Sequence, residues 1–215
     1  ADLVAKIAAG ADWIVADALG VEPIQPAVWE TVQAQLHSWV GAPQAIASSE
    51  PGALKHLLYG LMMSGFAMQA ARTSRPASGA EHQFSHLWDM QHHTHQGRPP
   101  SHGFKVGIGT LASVALFDEL LARDLASLDA QLLASKWPSL DDLDARIHDL
   151  LGAGELAHKA HEEMRAKYVS RDALRDQLQR LTTVWPGLRE KLHGQLIPLA
   201  KLQAMLPAAG CPTRP

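Results

Sequence analysis

Along nearly the whole chain, apolar residues recur every three or four positions. Leu3, Ile7, Ala11 and Ile14 do so near the start, and Leu140, Leu143, Ile147, Leu150 and Leu151 much later. That spacing lines one face of an α-helix, and no stretch shows the period-two alternation of a half-buried strand. The expected fold class is all-α, a multi-helix bundle of roughly eight to ten helices. Several helix starts are legible. Pro26 suits a first turn, Ser139 followed by Asp142 reads as a capping box, and Ser170 precedes Ala173, Leu174, Leu178 and Leu181. Gly, Pro and Ser clusters mark the expected breaks at Gly20 to Pro26, Gly41 to Gly52, Thr73 to Gly79, Gly97 to Ser101, Trp137 to Ser139, Gly152 to Gly154, and Pro186. None is long enough for an interdomain linker, so residues 1–207 are read as one helical domain and 208–215 as a loosely ordered tail.

Charge and cysteine content remove several classes of function. The 19 Lys plus Arg against 22 Asp plus Glu leave a formal charge of -3, which gives no electrostatic footprint for nucleic acid and makes a small-molecule partner more natural. A single cysteine, Cys211, allows neither a disulfide framework nor a thiolate metal site within one chain. The longest apolar run, Val106 to Phe117, ends at Asp118 and Glu119, short of the ~20 residues that a membrane span needs. The opening residues have no signal-peptide pattern, so a soluble protein is expected, and the lone cysteine fits a reducing, cytoplasmic setting. An exposed apolar surface could drive self-association into a homo-oligomer.

Chemistry concentrates in one segment. Ser74 to Gly109 reads SRPASGAEHQFSHLWDMQHHTHQGRPPSHGFKVGIG and holds six of the twelve histidines. On a helix beginning near Ala80, His82, His86, Asp89 and His93 share a face, and Phe84, Leu87 and Trp88 supply the expected packing face. His102 stands at or just before the start of an apolar helix, among Gly103, Gly107 and Gly109, where small residues permit close approach. On spacing alone these histidines are equally well solvated or packing residues, and His92, His93 and His95 read as polar surface.

In combination, SRPASGAEHQFSH followed by HGFKVGIGTL resembles the sn-glycerol-1-phosphate dehydrogenases. These sit in a superfamily with glycerol dehydrogenases, iron-containing alcohol dehydrogenases and dehydroquinate synthases. The resemblance implies the C-terminal helical domain of such an enzyme, with the N-terminal nucleotide-binding domain expected to be absent from this chain. It also implies a divalent metal (Zn, Fe or Ni) held by His82, His102 and, from the opening ADLVAKIAAGADWIVADALG, Asp2, with Asp12 as the alternative carboxylate. The implied substrate is a phosphorylated polyol or ketone, dihydroxyacetone phosphate being reduced with NAD(P)H.

Within that resemblance His86 is the candidate for moving a proton, or else packs behind the metal ligands. Arg75, Ser78 and Lys105 are candidates for the substrate phosphate, the competing interpretation being a structural turn with Arg75 paired to a carboxylate. Residues that bind the nucleotide are not assignable, because no glycine-rich fingerprint lies between a strand and a helix. NAD(P) is therefore expected mainly on the other domain, and this chain alone is expected to be inactive. The alternatives are the helical domain of a glycerol or alcohol dehydrogenase or of a dehydroquinate-synthase-like enzyme, or a non-enzymatic helical metal-binding module.

Overall fold

A computed structural model describes residues 1–214 and contains helices but no β-strand among them, so the chain is all-α. Two compact units emerge, Ala1–Arg123 together with the chain from Pro186 onward, and Asp124–Trp185.

The first unit is organised around α1 (Asp2–Ala18), which is buried on nearly every side, from Leu3 and Ile7 to Trp13 and Ile14. Alanines at 5, 8, 9 and 11 keep it slim enough for neighbours to approach from several directions. Around it lie α2 (Pro26–Gln33), α3 (Leu36–Val40), α4 (Pro43–Ala47) and α5 (Pro51–Ala71). Pro26, Pro43 and Pro51 occupy first-turn positions, where the missing N–H costs nothing and the fixed φ favours helix entry. The short α4 lies inside Gly41 to Gly52, a stretch expected to be turn.

Then come α6 (Ala80–Met90) and α7 (His102–Leu121), which pack on each other and on α1. Gln195 and Gln33 stitch the unit together from the side. The Gln195 amide donates to the Ile7 carbonyl at 3.1 Å and to Gln33 Oε1 at 2.9 Å, and Gln33 Nε2 donates to the Lys6 carbonyl at 2.9 Å.

The second unit holds a single 3-10 turn, then α8 (Ala130–Ser135), α9 (Leu140–Leu151), α10 (Glu155–Lys167) and the larger part of α11 (Arg171–Gln195). Ser139 and Asp142 form the capping box read from the sequence, with the Asp142 N–H donating to Ser139 Oγ at 3.1 Å. Tyr168 Oη donates to the Pro138 carbonyl at 3.0 Å and Trp137 Nε1 to the Val169 carbonyl at 3.1 Å, tying the α8–α9 connection to the α10–α11 connection. Pro186, expected to be a break, instead lies inside α11. A proline removes one ladder bond and favours a bend, and the long amphipathic run on either side keeps the helix going. The chain closes on α12 (Leu199–Ala208), whose Leu202 and Leu206 enter the core of the first unit. No helix is long and apolar enough to cross a membrane.

Candidate metal centre

Helix starts meet at one place. Asp2 opens α1, His82 lies in the first turn of α6, and His102 opens α7, where Ser101 caps the helix by accepting from the Phe104 N–H. One ligand atom from each of Asp2, His82 and His102 falls within 4.8 Å of the others. Asp2 Oδ1 is 3.4 Å from His82 Nε2 and 4.0 Å from His102 Nε2. Tetrahedral bonds of ~2.0–2.1 Å put neighbouring ligand atoms about 3.4 Å apart, so the spacing suits one divalent ion.

The other ring nitrogens are already engaged. Glu81 Oε1 lies 2.8 Å from His82 Nδ1, and Ser85 Oγ lies 3.2 Å from His102 Nδ1. Each imidazole thus turns its Nε2 toward Asp2. Two neutral nitrogens and one carboxylate leave further coordination positions open, the pattern of a catalytic ion and not of a closed structural zinc site. His82 is buried, while the His102 side chain is 53% exposed, so the cluster has a wall and a mouth.

Charge reinforces the arrangement. Burial raises the Asp2 carboxyl, but the bond to His82 and the Lys6 ammonium, 2.9 Å away, hold it well below the usual carboxylate range. Burial lowers His82, and its bonds to Asp2 and Glu81 outweigh that and raise it above the ordinary imidazole value. His102 is lowered, by burial first, then against the pull of Asp2 by the positive charge of its neighbours.

The other candidates fall elsewhere. His86 is exposed, one turn on, with its ring centroid 6.4 Å from that of His82. The Arg75 guanidinium pairs with Glu22 at 2.7 Å, and Ser78 is half-buried in the same turn. Lys105 pairs with Asp89 and lines a cavity of about 370 Å³, together with Trp88, His93, Arg98 and Phe104. Asp12 stays apart from the histidines and caps α6, accepting from the Ala80 N–H at 2.6 Å. Gly103, Gly107 and Gly109 sit inside α7, facing Asp2, Ala1 and the Glu81 backbone, so they build no loop that could cradle a nucleotide.

Lys6, Glu81 and Ser85 were missed by the sequence reading. The expected packing face of α6, Phe84, Leu87 and Trp88, is only partly covered, and the buried face is Glu81, His82 and Ser85. His93 lies beyond the end of α6 at Met90, so it leaves the face it was expected to share. A buried polar stripe carries no hydrophobic signal. Its one trace in the sequence is the acidic residue next to a candidate ligand histidine, with small residues in the facing helix.

Asp12 gives a testable pH dependence. Burial raises its carboxyl to about 6, helped by the charge of Glu81 and opposed by the Ala80 N–H. The folded state therefore holds this proton at pH values where the unfolded chain has lost it. The stability that it contributes is complete below ~3.8 and lost as pH rises through about 6, a swing of roughly 3 kcal/mol. Asp12→Asn is expected to flatten that interval in urea titrations and to exceed the parent at pH 8. A variant less stable than the parent at pH 8, with the slope unchanged, contradicts the assignment.

The fold and cluster define a class, an all-helical domain with an open two-histidine, one-carboxylate site. Its sequence is 37% identical over 116 residues to a glycerol-1-phosphate dehydrogenase of Halalkalibacterium halodurans, covering 54% of this chain and 29% of that protein. It is 31% identical over 153 residues to that of Geobacillus stearothermophilus (70% and 38%) and 32% over 164 residues to that of Korarchaeum cryptofilum (75% and 50%). All of these carry NAD(P)+ in their names. The chain is a partial-length relative of the glycerol-1-phosphate dehydrogenases and spans half their length or less. No family model and no solved structure matches it.

Proposed function

We propose that residues 1–207 are the helical, cation-binding part of a cytoplasmic NAD(P)-dependent glycerol-1-phosphate dehydrogenase that reduces the C2 carbonyl of dihydroxyacetone phosphate. The observation that carries this reading is the meeting of Asp2, His82 and His102, ligand atoms within 4.8 Å, in a relative of those enzymes. A bound divalent ion supplies Lewis acidity at the carbonyl oxygen.

Everything else follows from this chain's own groups. Asp2, His82 and His102 hold the ion on one side and leave the mouth beside His102 for substrate. The first turns of α1, α6 and α7 point their positive ends at the cluster, which favours negative charge developing on the substrate oxygen. His86, one turn beyond His82, gives or takes the proton on that oxygen. The substrate phosphate lies against Lys105 and Arg98 in the neighbouring cavity, with Arg75 and Ser78 shaping the turn that leads into α6. No step through the nucleotide is assigned to these residues, since none of them fits it.

The test is chelation of the complete protein that contains this chain. Reduction of dihydroxyacetone phosphate is expected to vanish with chelator and return with Zn2+, Fe2+ or Ni2+, while dihydroxyacetone and simple aldehydes turn over more slowly. Chelator-insensitive activity overturns the reading. The chain by itself is expected to show no nucleotide-dependent turnover.

A further inference from the structure

We propose that Glu81 is a positioning residue, whose buried carboxylate fixes His82 in the tautomer with Nδ1 protonated and thereby presents the Nε2 lone pair to the point shared with Asp2 and His102. The inference rests on the reading of that cluster as a cation site.

A neutral imidazole has one N–H, and on His82 two carboxylates compete for it. Glu81 Oε1 sits 2.8 Å from Nδ1, and Asp2 Oδ1 sits 3.4 Å from Nε2. Glu81 holds the stronger position. Its side chain is fully buried, and the same oxygen accepts the Gly79 N–H at 2.9 Å, so its orientation is set without help from the histidine. With the proton on Nδ1 alone, an imidazole lone pair faces a carboxylate oxygen across 3.4 Å, an arrangement that is repulsive until a second proton or a metal cation lies between them.

Two further observations point the same way. Glu81 Oε2 is buried with no hydrogen-bond partner. A buried carboxylate with an unpaired oxygen is costly, and the Asp12 carboxyl is the polar group beside that oxygen, so the proton that Asp12 retains and the N–H of His82 are what offset the Glu81 charge. The second is the glycines that clear its surroundings. A Cβ at Gly79 would meet Glu81 Oε2 at 2.8 Å, and a Cβ at Gly109 would strike the Glu81 carbonyl, so the backbone that carries this carboxylate is held by helix contact. Ser85 stands in the corresponding place for His102.

Long-range 1H–15N spectra of the 15N-histidine-labelled chain, free of metal and at alkaline pH, read the tautomer directly. The His82 signal is assigned by its absence in His82→Asn. Nδ1–H is expected in the wild type and a shift to Nε2–H in Glu81→Ala. Co2+ affinity is expected to fall ~10–100-fold in that variant. Glu81→Gln keeps an acceptor oxygen and is expected to restore the Nδ1–H tautomer and most of the affinity, which a space-filling role for Glu81 does not require. Nε2–H in the wild type overturns the proposal without any variant having to fold, as does a Glu81→Ala protein with unchanged tautomer and affinity. Wild type that shows Nδ1–H yet binds no Co2+ instead refutes the cation reading and leaves the tautomer assignment standing.

Discussion

Replacing His102 by alanine is expected to weaken divalent-cation binding by ~100-fold or more while leaving the metal-free protein's melting temperature within about 2 °C of the parent. The reasoning is one of exposure. The His102 side chain is 53% exposed and makes a single side-chain hydrogen bond, to Ser85, so its loss removes little packing. Four-ligand zinc peptides bind with about 10–16 kcal/mol, so one ligand of a set is worth roughly 3 kcal/mol. His82→Ala is expected to lose the same affinity and also stability, because it takes from the buried Glu81 carboxylate its imidazole partner. Isothermal titration with Zn2+, paired with thermal melts without metal, separates the two. Equal destabilisation by both substitutions, with Zn2+ affinity intact in either, contradicts the assigned ligands.

Gly109→Ala carries the second large effect. Helix propensity by itself favours alanine by ~1 kcal/mol in the middle of a helix. A Cβ there, however, would run into the Glu81 carbonyl oxygen and lie 3.0 Å from its carbonyl carbon and 3.2 Å from its Cα. Backbone cannot rotate out of the way, so α6 and α7 must part, at the upper end of the ~1–3 kcal/mol typical of overpacking. The clash therefore wins, with a melting temperature lower by roughly 4–8 °C. Since His82 and His102 sit on those two helices, cation affinity is expected to fall by ~10-fold or more as well. Gly194→Ala is the control. Nothing lies within 4 Å of a Cβ there, and it is expected to leave stability equal or higher. If both alanines raise the melting temperature, the close approach of α6 and α7 is not as described.

These contacts explain which parts of the molecule were legible in its sequence. Helices were, because their burial is apolar and periodic. Leu3, Ile7 and Ile14 fall on buried positions of α1, and the Ser139 and Asp142 cap is local chemistry that needs no tertiary partner. The break expected at Pro186 was not found, since α11 runs on through it at the cost of one ladder bond. The α6 face failed for a different reason. A three-to-four spacing places His82, His86 and Asp89 together, but which face is buried depends on α7, which brings Gly109 against the Glu81 backbone. Hydrophobicity therefore pointed to Phe84, Leu87 and Trp88, while the covered residues are Glu81, His82 and Ser85. The candidate ligands came from a resemblance to known dehydrogenases, and nothing in their spacing foretold that helices opening at residues 2, 80 and 102 would start side by side. Long-range convergence is a property of packing, and Lys6 and Glu81 became visible only with it.

The most direct test is anomalous diffraction from crystals soaked in Zn2+, recorded on both sides of the metal's absorption edge. One strong peak is expected among Asp2, His82 and His102, with Nε2 of each imidazole and a carboxylate oxygen at ~2.0–2.2 Å and room beside His102 for a further ligand. A peak at His92, His93 and His95 instead, or none between Asp2 and His82, contradicts the account.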